Sequence, residues 1–514
     1  MHVENNLSAL FIEIGDHVAS IVAIRSPQLK SNDHPIYGNE GLKLMGMSPQ
    51  TARVATGVAI YAGLVGLAFS VNYPGRLVPD SLDMLTQAVH PETLNDWHEP
   101  ATTGFWLLFA PILGQPASAL LSQALLIFIY PAILIERTIA QRLITIPILL
   151  GLTVFVAALV AVTGTIVKDI VLVGLLLCLF AALDLHPTSA LRVFRVALFA
   201  VLIIAITLIR PTNSLLFGFT AICWVAIQRM KIRTAIPVVI LICITTVSSP
   251  WMTKLFDRNL LGAADAKAED MLVIFDVAGI SSAIHKDLFA QLPGWPTDGP
   301  SDPSQTEQSG GSLKRKVEPP WHCYTPVSVD PFAFGECKEY LTLLRDSKVK
   351  TINWWLRSIV GHPIGYAIHR SKYAFYLVRS MLQFSTWGAP YASNVAFRLN
   401  ELFSQSTHGI DMRSRFELWE PRIAYVPFGW AAAFMISRPF LVIVIFVCLI
   451  VLIKSWKMSR ARYEFDSFEM SAGAIGLGNI LMVVAFGIAA DARYLLPTFI
   501  CGFVIVLRKL VRTA

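Results

Sequence analysis

The chain has 514 residues, of which 54% are hydrophobic and 15% are charged. Soluble domains carry about 25% charged residues, so this composition excludes an ordinary soluble enzyme and favours a protein that crosses a membrane many times. The formal charge of +7 does not indicate nucleic-acid binding, because the Lys and Arg residues lie scattered at the ends of apolar runs. That placement is typical of residues that set membrane topology.

The N-terminal segment 1–53 is predicted to stay on the cytoplasmic side of the membrane. Its only apolar run is interrupted by Glu13, Asp16 and His17, which argues against a signal peptide. Residues 8–24 are predicted instead to form an amphipathic helix that lies on the membrane surface.

Ten apolar runs follow, each close to the length that crosses about 30 Å of hydrocarbon. Seven lie in a first membrane module, 54–251, and three in a C-terminal module, 428–514. They cover residues 54–71, 117–135, 143–163, 170–185, 193–209, 214–228, 234–251, 428–453, 469–490 and 495–508. Arg438-Pro439 interrupts the eighth run, and the last run is short. The apolar segment 103–113 is too short to cross, so we expect it to lie in the interface or to dip into the membrane.

Lys and Arg residues fix the orientation of these spans. One set of short loops carries two to four of them each: Arg137 and Arg142; Arg192 and Arg195; Arg229, Lys231 and Arg233; Lys454, Lys457, Arg460 and Arg462; Arg508, Lys509 and Arg512. The alternate set carries one each: Arg76, Lys168, Arg210 and Arg493. The positive-inside rule therefore places both termini in the cytoplasm, and segments 72–116 and 252–427 on the outer face. The predicted fold is all-α, a multi-pass bundle of about ten transmembrane helices with a mainly helical outward-facing domain.

The outward-facing domain has two kinds of sequence. The polar stretch 297–320 is predicted to be a flexible surface loop. Segments 351–383 and 397–420 have aromatic and aliphatic residues at helical spacing among Arg and Lys, so we expect them to pack on the membrane surface or over the core. Cys323 and Cys337 also fall here, where an oxidising compartment would allow a disulfide. Their spacing alone leaves open whether they are bonded.

The first outward segment, 72–116, concentrates possible general acids and bases at a lipid–water boundary. These are Asp80, Asp83, Asp96, His98 and Glu99. Ionisable groups at a membrane boundary are expensive to keep, so they suggest chemistry on a substrate that resides in the membrane. If 80–90 is helical, Asp80 and Asp83 share a face, and either could be the base.

Three of the four outward basic residues begin a polar motif at a span end. The motifs are Lys168-Asp169, Arg210-Pro-Thr-Asn213 and Arg493-Tyr494. A carboxylate base beside fixed Arg and Lys would suit group transfer from a lipid-phosphate carrier to an acceptor hydroxyl. No Cys, His or acidic cluster has metal-ligand spacing, and the sequence contains no Walker or Rossmann glycine loop, so we predict neither a metal nor another cofactor.

Short motifs in the outward segments carry a family resemblance. They are Pro79-Asp80-Ser-Leu-Asp83, Asp96-Trp-His98, Lys168-Asp169, Arg210-Pro-Thr-Asn213, Phe275-Asp276, His362-Pro-Ile-Gly-Tyr366-Ala-Ile-His369-Arg370 and Arg493-Tyr494-Leu-Leu-Pro497. By these motifs and their order the chain resembles the GT-C glycosyltransferases, integral-membrane enzymes that use polyprenyl-phosphate sugars. It is most similar to the bacterial branch that modifies lipopolysaccharide core and lipid A.

The resemblance implies a GT-C-like fold in the bacterial cytoplasmic (inner) membrane, an inverting transfer from a polyprenyl-phosphate-linked sugar donor, and a glycan or membrane lipid as acceptor. It implies that Asp80 is the catalytic base, with Asp83 as the alternative, and that His98 orients the acceptor or the base. The donor phosphate would be bound by Arg493, Lys168, Arg210 and Tyr494. Secondary candidates are Asp96, Glu99, Asp169, Asn213, Asp276, His362 and Arg370.

Plain structural roles compete with chemistry at several positions. They are a cap or turn for Asp276, structural roles for His362 and His369, a water-facing helix end for Asp184, and membrane-interface positions for Trp354 and Trp355. Two other functions are also open. An O-antigen-type ligase or polymerase would depend on Arg370 and His362 in the large outward segment rather than on Asp80. A transporter would place polar groups at the membrane midplane, whereas here they lie at one face.

Overall fold

The computed structural model describes most of the chain from residue 48 onward. The described residues are 48–73, 75–77, 79–95, 97–98, 100–184, 191–210, 213–228, 251, 253–292, 320–333, 335–347, 349–380, 426–460, 467–489 and 491–513. Outside them lie the predicted surface helix 8–24, the segment 397–420, Asp96, Glu99, and nearly all of the span 234–251 and of the loop 297–320.

The first apolar run forms helix α1, Pro49–Asn72, which covers the span predicted at 54–71. Ser48 caps this helix, because its Oγ accepts a hydrogen bond from the Thr51 amide at 3.1 Å. Pro49 occupies the first turn, where a helix leaves its amides unpaired and the missing N–H does no harm.

A series of short elements follows α1. They are strand β1 (Arg76–Leu77), helix α2 (Pro79–Val89), a 3-10 turn (Pro91–Thr93), helix α3 (Pro100–Trp106), a 3-10 turn (Leu107–Phe109) and helix α4 (Ala110–Leu113). Helix α2 therefore meets the condition under which Asp80 and Asp83 share a helix face. The chain then bends by 116° before helix α5, Ala117–Ile127, and Gly114 makes this turn with a φ of +67°. The short apolar segment 103–113 is therefore helical but does not continue straight into α5.

The first membrane module continues with five helices and one short strand. They are α6 (Ile129–Ala140), α7 (Ile146–Thr163), β2 (Thr165–Ile166), α8 (Lys168–Asp184), α9 (Leu191–Ile209) and α10 (Asn213–Gln228). Helix α8 is apolar all round and nearly every side chain in it is buried, so it is the central helix of the module. Gly174 lets α5 approach α8 closely, because a Cβ there would lie 2.6 Å from the Leu126 Cβ.

The described part of segment 252–427, which is predicted to face outward, is mainly helical. It contains a π-helical turn (Leu255–Leu260), α11 (Glu269–Ile284), a 3-10 turn (Phe289–Gln291), α12 (Pro320–Cys323), α13 (Asp330–Ala333), α14 (Glu339–Asp346), α15 (Thr351–Gly361) and α16 (Pro363–Ser380). Helix α11 is mostly buried, and α15 and α16 pack against it. Cys323 and Cys337 form a disulfide with their Cα atoms 6.1 Å apart.

The C-terminal module begins with a broken helix. Its elements are α17 (Val426–Met435), α18 (Arg438–Arg460), α19 (Ser467–Phe486), a 3-10 turn (Ala492–Leu495) and α20 (Leu496–Thr513). The break between α17 and α18 lies next to Arg438-Pro439, where the sequence predicts an interruption. Helix α18 exposes apolar side chains such as Ile443 and Phe446, whereas α20 is largely buried.

Five of the described helices are long and apolar enough to cross a membrane. They cover Gln50–Asn72, Ile146–Thr163, Arg438–Met458, Phe468–Phe486 and Arg493–Arg512, and the bent pair of 100–113 with α5 adds a sixth if it is one span. Helices α8 and α10, with 17 and 16 residues, are shorter, and the apolar part of α9 is Ala197–Ile209. The described residues thus form an all-α protein of membrane type, and the total of ten spans stays a prediction.

The environment of Asp184, at the end of α8, differs from the one predicted. This residue was predicted to face water, but its side chain is fully buried and pairs with Arg137 and, at 2.9 Å, with the Arg508 Nε. Arg512 lies 3.9 Å away. The prediction was wrong because α8 is the central helix, so α6 and α20 cover its end. A carboxylate in that position must find cationic partners, since a buried charge without one is costly.

Candidate functional site

The connection after α1 and the connection between α7 and α8 are joined by a very small parallel sheet. Arg76 and Leu77 of β1 pair with Thr165 and Ile166 of β2. The hydroxyl of Ser81, at the start of α2, donates a hydrogen bond to the Ile166 carbonyl. This pairing holds the beginning of α2, which carries Asp80, beside the beginning of α8, which carries Lys168 and Asp169.

A buried amide inside the membrane module supports the same connection. Gln123 of α5 donates from Nε2 to the carbonyls of Thr163 at 3.1 Å and Thr165 at 3.2 Å. Its Oε1 accepts from the Val167 amide at 3.3 Å. The backbone between α7 and α8 therefore has its polar groups satisfied inside the protein, as a buried segment requires.

Arg493 is the centre of the site, and three carboxylates surround its guanidinium. Its Nη2 lies 2.6 Å from Asp80 Oδ2, and its Nε lies 3.1 Å from Asp491 Oδ2 and 3.7 Å from Asp169 Oδ2. Asp491 also caps the 3-10 turn by accepting from the Arg493 amide at 2.9 Å. The three acids come from α2, from α8 and from the turn before α20, so the site depends on the tertiary fold.

A second arginine completes this arrangement. Arg210 Nη1 lies 3.0 Å from Asp169 Oδ1, and its guanidinium sits 4.5 Å from the centre of the Tyr494 ring. The Arg493 guanidinium is 5.3 Å from the same ring, so Tyr494 contacts both cations. The structure thus brings together Asp80, Asp169, Arg210, Arg493 and Tyr494, all of which were predicted as site residues.

Asp83 and His98 form a neighbouring pair on the first outward segment. His98 Nε2 lies 3.3 Å from Asp83 Oδ2, and Gln87 donates from Nε2 to the same oxygen at 3.0 Å. His98 is buried, while half of the Asp83 side chain is exposed. Of the two predicted bases, Asp80 is therefore paired with an arginine and Asp83 is open to solvent.

The surroundings move the pKa values of these groups in opposite directions. Burial opposes ionisation of Asp80, but the positive charges of Arg493 and Lys168 outweigh it and hold the Asp80 pKa below its ordinary value. Burial raises the pKa of Asp83, and the nearby Asp80 charge adds to that. Burial, with the charge of Lys168, lowers the pKa of His98 to about 3. His98 is therefore neutral at pH 7 and donates to Asp83.

The charges around Arg493 are balanced. Three cations, Arg493, Arg210 and Lys168, meet three carboxylates, of which Asp491 has a pKa raised by burial. An anionic ligand that bound to Arg493 would therefore have to replace one of the acids as its partner. Asp80 is the most exposed of these acids, at 35% of its side chain, so it is the partner most easily exchanged.

A second polar cluster lies in the outward domain around Asp276. This residue was expected to be a cap or turn residue, but it lies inside α11 and its side chain is fully buried. Trp355 donates from Nε1 to Asp276 Oδ2 at 2.7 Å, and Arg370 Nη2 lies 2.5 Å from Oδ1. His369 Nε2 is 2.8 Å from the same Oδ1, which makes it the donor. The cap assignment was wrong because α11 is covered by α15 and α16.

The rest of this cluster fixes the state of His369. Its Nδ1 lies 2.7 Å from the Tyr324 hydroxyl, which donates to it because Nε2 carries the proton. Burial lowers the pKa of His369, in agreement with a neutral ring. The structural role predicted for His369 fits these contacts. The neighbouring Trp354 is buried against Phe289, whereas Trp355 is half-buried, and the membrane-interface position expected for the pair stays a prediction.

The Asp276 cluster reaches the first site through the loop that leads to Arg493. Arg370 donates from Nη1 to the Gly487 carbonyl at 2.7 Å, and Tyr373 donates to the Ala489 carbonyl at 2.9 Å. Tyr366 donates to the Ala485 carbonyl at 3.2 Å. Helix α16 therefore holds the backbone of residues 485–489, four residues before the arginine.

The remaining predicted residues have other positions. Asn213 is buried at the start of α10 and donates to the Ile206 carbonyl at 3.4 Å. His362 lies between α15 and α16, and its amide donates to the Ser358 carbonyl at 3.1 Å. Two residues of the site were not predicted. The position of Asp491, two residues before Arg493, could have identified it. Gln123 could have been identified as a polar amide within an apolar run.

Comparison with protein-family models, with curated proteins and with solved structures gives no match for this chain. Within the described residues, no group of three His, Cys, Asp or Glu side chains is arranged to hold a metal ion. The proposed function therefore rests on the geometry of the clusters around Arg493 and Asp276.

Proposed function

We propose that this protein is a membrane glycosyltransferase of the GT-C type, which moves a sugar from a polyprenyl-phosphate carrier to an acceptor hydroxyl. The observation that carries the proposal is the 2.6 Å contact between Asp80 and Arg493. It joins a candidate general base to a candidate phosphate ligand at the end of the helices where the outward connections meet. One base and one anion site are what such a transfer needs.

The donor phosphate binds at Arg493, whose planar guanidinium suits two-point contact with phosphate oxygens. Arg210 and Lys168 add charge beside it, and Tyr494 fixes the two guanidinium groups by stacking. Because the charges are balanced without a ligand, the phosphate takes the place of Asp80 on Arg493. This exchange releases the Asp80 carboxylate and removes the main cause of its low pKa.

The released carboxylate removes the proton of the acceptor hydroxyl as the hydroxyl oxygen attacks the anomeric carbon. The bond between that carbon and the phosphate oxygen breaks with inversion, and the phosphate leaves with its electron pair, held by Arg493. The leaving group needs no proton, so no general acid is required. Asp83, with its raised pKa and its contact to neutral His98, is the alternative base in the same step.

The proposed setting is the outer face of the bacterial inner membrane, with ten spans and both termini in the cytoplasm. The Arg-rich surroundings of Asp184, at the opposite end from Arg493, support this orientation by the positive-inside rule. The ligase alternative needs Arg370 to reach a substrate. Arg370 is 5% exposed and bonded to Asp276 and Gly487, which argues for the transferase.

The proposal is tested with Asp80→Asn and Asp83→Asn in proteoliposomes that contain the purified chain and a radiolabelled polyprenyl-phosphate sugar. We expect one of the two variants to lose transfer by on the order of 10²-fold or more, because a general base contributes about that much. Asp346→Asn, an exposed acid at the end of α14, is the matched control and should transfer normally. Full transfer by both site variants would overturn the mechanism.

A further inference from the structure

Helices α15 and α16 expose a long apolar face. Val360 is 77% exposed, Ile364 76% and Phe375 63%. The exposed apolar residues follow helical spacing along both helices: Ile352, Leu356, Val360, Ile364, Ile368, Phe375 and Val378. Exposed apolar residues that occur singly are ordinary, but a contiguous face of this kind marks an interaction site.

The opposite face of the same helices is already used. Trp354, His369, Tyr373 and Leu377 are buried. His369 contacts Asp276 of α11, and the Tyr373 ring packs against Phe275 of the same helix. The exposed face is therefore not needed to close the core of the outward domain. It requires a separate partner.

The position of α16 indicates what that partner is. Arg438, the first residue of the candidate span α18, donates to the carbonyls of Val378 and Arg379 at 3.1 Å each. Tyr366 of α16 donates to the Ala485 carbonyl, near the end of the candidate span α19. Both contacts are at the same end of the two spans, so α16 lies at the level where these helices leave the membrane.

The charge of this segment points to the kind of lipid. Residues 351–380 contain four Lys or Arg residues and no Asp or Glu. Arg357, Lys372 and Arg379 are exposed beside the apolar face. An apolar helix face flanked by basic residues is typical of helices that lie in a membrane interface, and basic residues there attract anionic headgroups.

We propose that the exposed face of α15 and α16 is a docking surface for the membrane, and that it binds the anionic lipids of the leaflet on the Arg493 side. The apolar side chains enter the headgroup boundary, and the basic side chains contact lipid phosphates. This inference does not rest on the proposed function. Since Arg370 and Tyr373 of α16 also hold residues 487 and 489, lipid contact fixes the helix that positions the Arg493 loop.

Nitroxide labels test the apolar part of the proposal. Val360→Cys and Phe375→Cys are labelled in the full chain in nanodiscs that contain one-third anionic lipid, with the unsubstituted chain giving the background from its own cysteines. We expect both labels to collide more with oxygen, which concentrates in lipid, than with a water-soluble nickel chelate. Thr342→Cys, on the exposed side of α14, should show the reverse ratio.

Three other outcomes would overturn the docking surface. Free access of the nickel chelate to 360 and 375 would show that the face is in water. Protection from both reagents together with spin–spin coupling between labels would show a second copy of the chain on it. Protection from both without coupling would show that another segment of the same chain covers it.

A charge variant tests the lipid class. In nanodiscs of zwitterionic lipid alone, the ratio of oxygen to nickel collisions at 360 and 375 should fall toward the value at 342. Substituting Arg357→Gln, Lys372→Gln and Arg379→Gln together should remove the difference between the two lipid compositions. If the basic residues are intact and the ratio of oxygen to nickel collisions is equal in both lipid compositions, the choice of anionic lipid is overturned. Neither measurement requires sugar transfer.

Discussion

The two ends of the helical module contain arginine–aspartate clusters that differ in charge balance. At one end a single carboxylate, Asp184, lies among Arg137, Arg508 and Arg512. At the other end Arg493 lies among three carboxylates, and Arg210 and Lys168 bring the cations to the same number. The Asp184 side chain is fully buried, whereas Asp80 is one-third exposed. The first cluster is built to stay closed, and the second can exchange a partner.

Ion pairs at the two ends of the same helices can therefore have different roles. The excess of arginine around Asp184 agrees with a cytoplasmic end and joins α6, α8 and α20. The balanced charges around Arg493 leave its site neutral without a ligand. In such a site the exposed Asp80 is the partner that an incoming anion would most easily replace.

The largest effect is expected from Arg493→Ala. Loss of the guanidinium removes the phosphate ligand and leaves three acids close together, so sugar transfer should fall on the order of 10³-fold. Arg493→Lys keeps the charge but not the two-point geometry, and it should recover only part of the rate. Initial rates of transfer in proteoliposomes measure both variants. A rate within twofold of the unsubstituted chain for Arg493→Ala would contradict the assignment.

Asp184→Asn should act on stability and not on chemistry. Removing one partner of a buried ion cluster costs about 3 kcal/mol or more, because the remaining charges lose their compensation. We expect a lower midpoint of thermal unfolding in detergent, with transfer per folded molecule unchanged. If transfer per folded molecule fell as strongly as in Arg493→Ala, the two ends would not have separate roles.

Asp276→Asn should weaken the hold of α16 on the Arg493 loop. Transfer should fall roughly tenfold or more, since a small displacement of a substrate-binding group has such effects. The readout that separates positioning from general damage is hydrogen exchange, which should become faster in residues 485–493 while α8 keeps its protection. Asp346→Asn is again the matched control. Unchanged exchange in 485–493 would show that Asp276 does not position the loop.

The pH dependence of kcat/KM distinguishes the two bases. A base must be ionised, so the rate falls as the pH falls through its pKa, and kcat/KM reports the free enzyme. The lowered pKa of Asp80 places this loss below the ordinary carboxyl range, and the raised pKa of Asp83 places it above. If Asp83 is the base, Asp83→Asn should remove the fall of kcat/KM at low pH. If Asp80 is the base, the same fall should remain in this variant.

The smallest effect is expected from Arg53→Ala. Arg53 pairs with Glu136 at 2.7 Å, on the same side as Asp184, but half of its side chain is exposed. Solvent screens such a pair, which is worth less than about 1 kcal/mol. The unfolding midpoint and the transfer rate should both stay near those of the unsubstituted chain. A large loss in either would mean that charge at this end matters beyond the buried cluster.

The sequence predicted those features that depend on local pattern. Apolar runs gave the positions of α1, α7, α18 and α19, because length and hydropathy decide whether a helix can span a membrane. The sequence named Cys323 and Cys337 as a possible pair but left open the disulfide that they form. The contacts of Arg493 with Asp80 and Asp169 agree with the prediction that span alternation brings their loops to one face.

The features that the sequence did not predict depend on how the helices pack against one another. Nothing local distinguishes Asp184 at the end of a central helix from an acid at the end of a peripheral one. Asp276 likewise looks like a cap residue in the sequence, because its partners, Trp355, His369 and Arg370, come from helices 79 or more residues later. Burial of a polar residue depends on the packing of the whole protein, so the local sequence around that residue does not reveal it.

Gly487 limits how this loop can change during evolution. A Cβ at this position would overlap the Tyr373 hydroxyl and would also lie 2.5 Å from the Val483 carbonyl oxygen. A smaller side chain at position 373 would remove the first obstacle but not the second, because the second is backbone. Another residue at 487 would therefore require the backbone of this turn to shift, even with a smaller side chain at 373. We expect a substitution of Gly487 to displace the backbone that leads to Arg493.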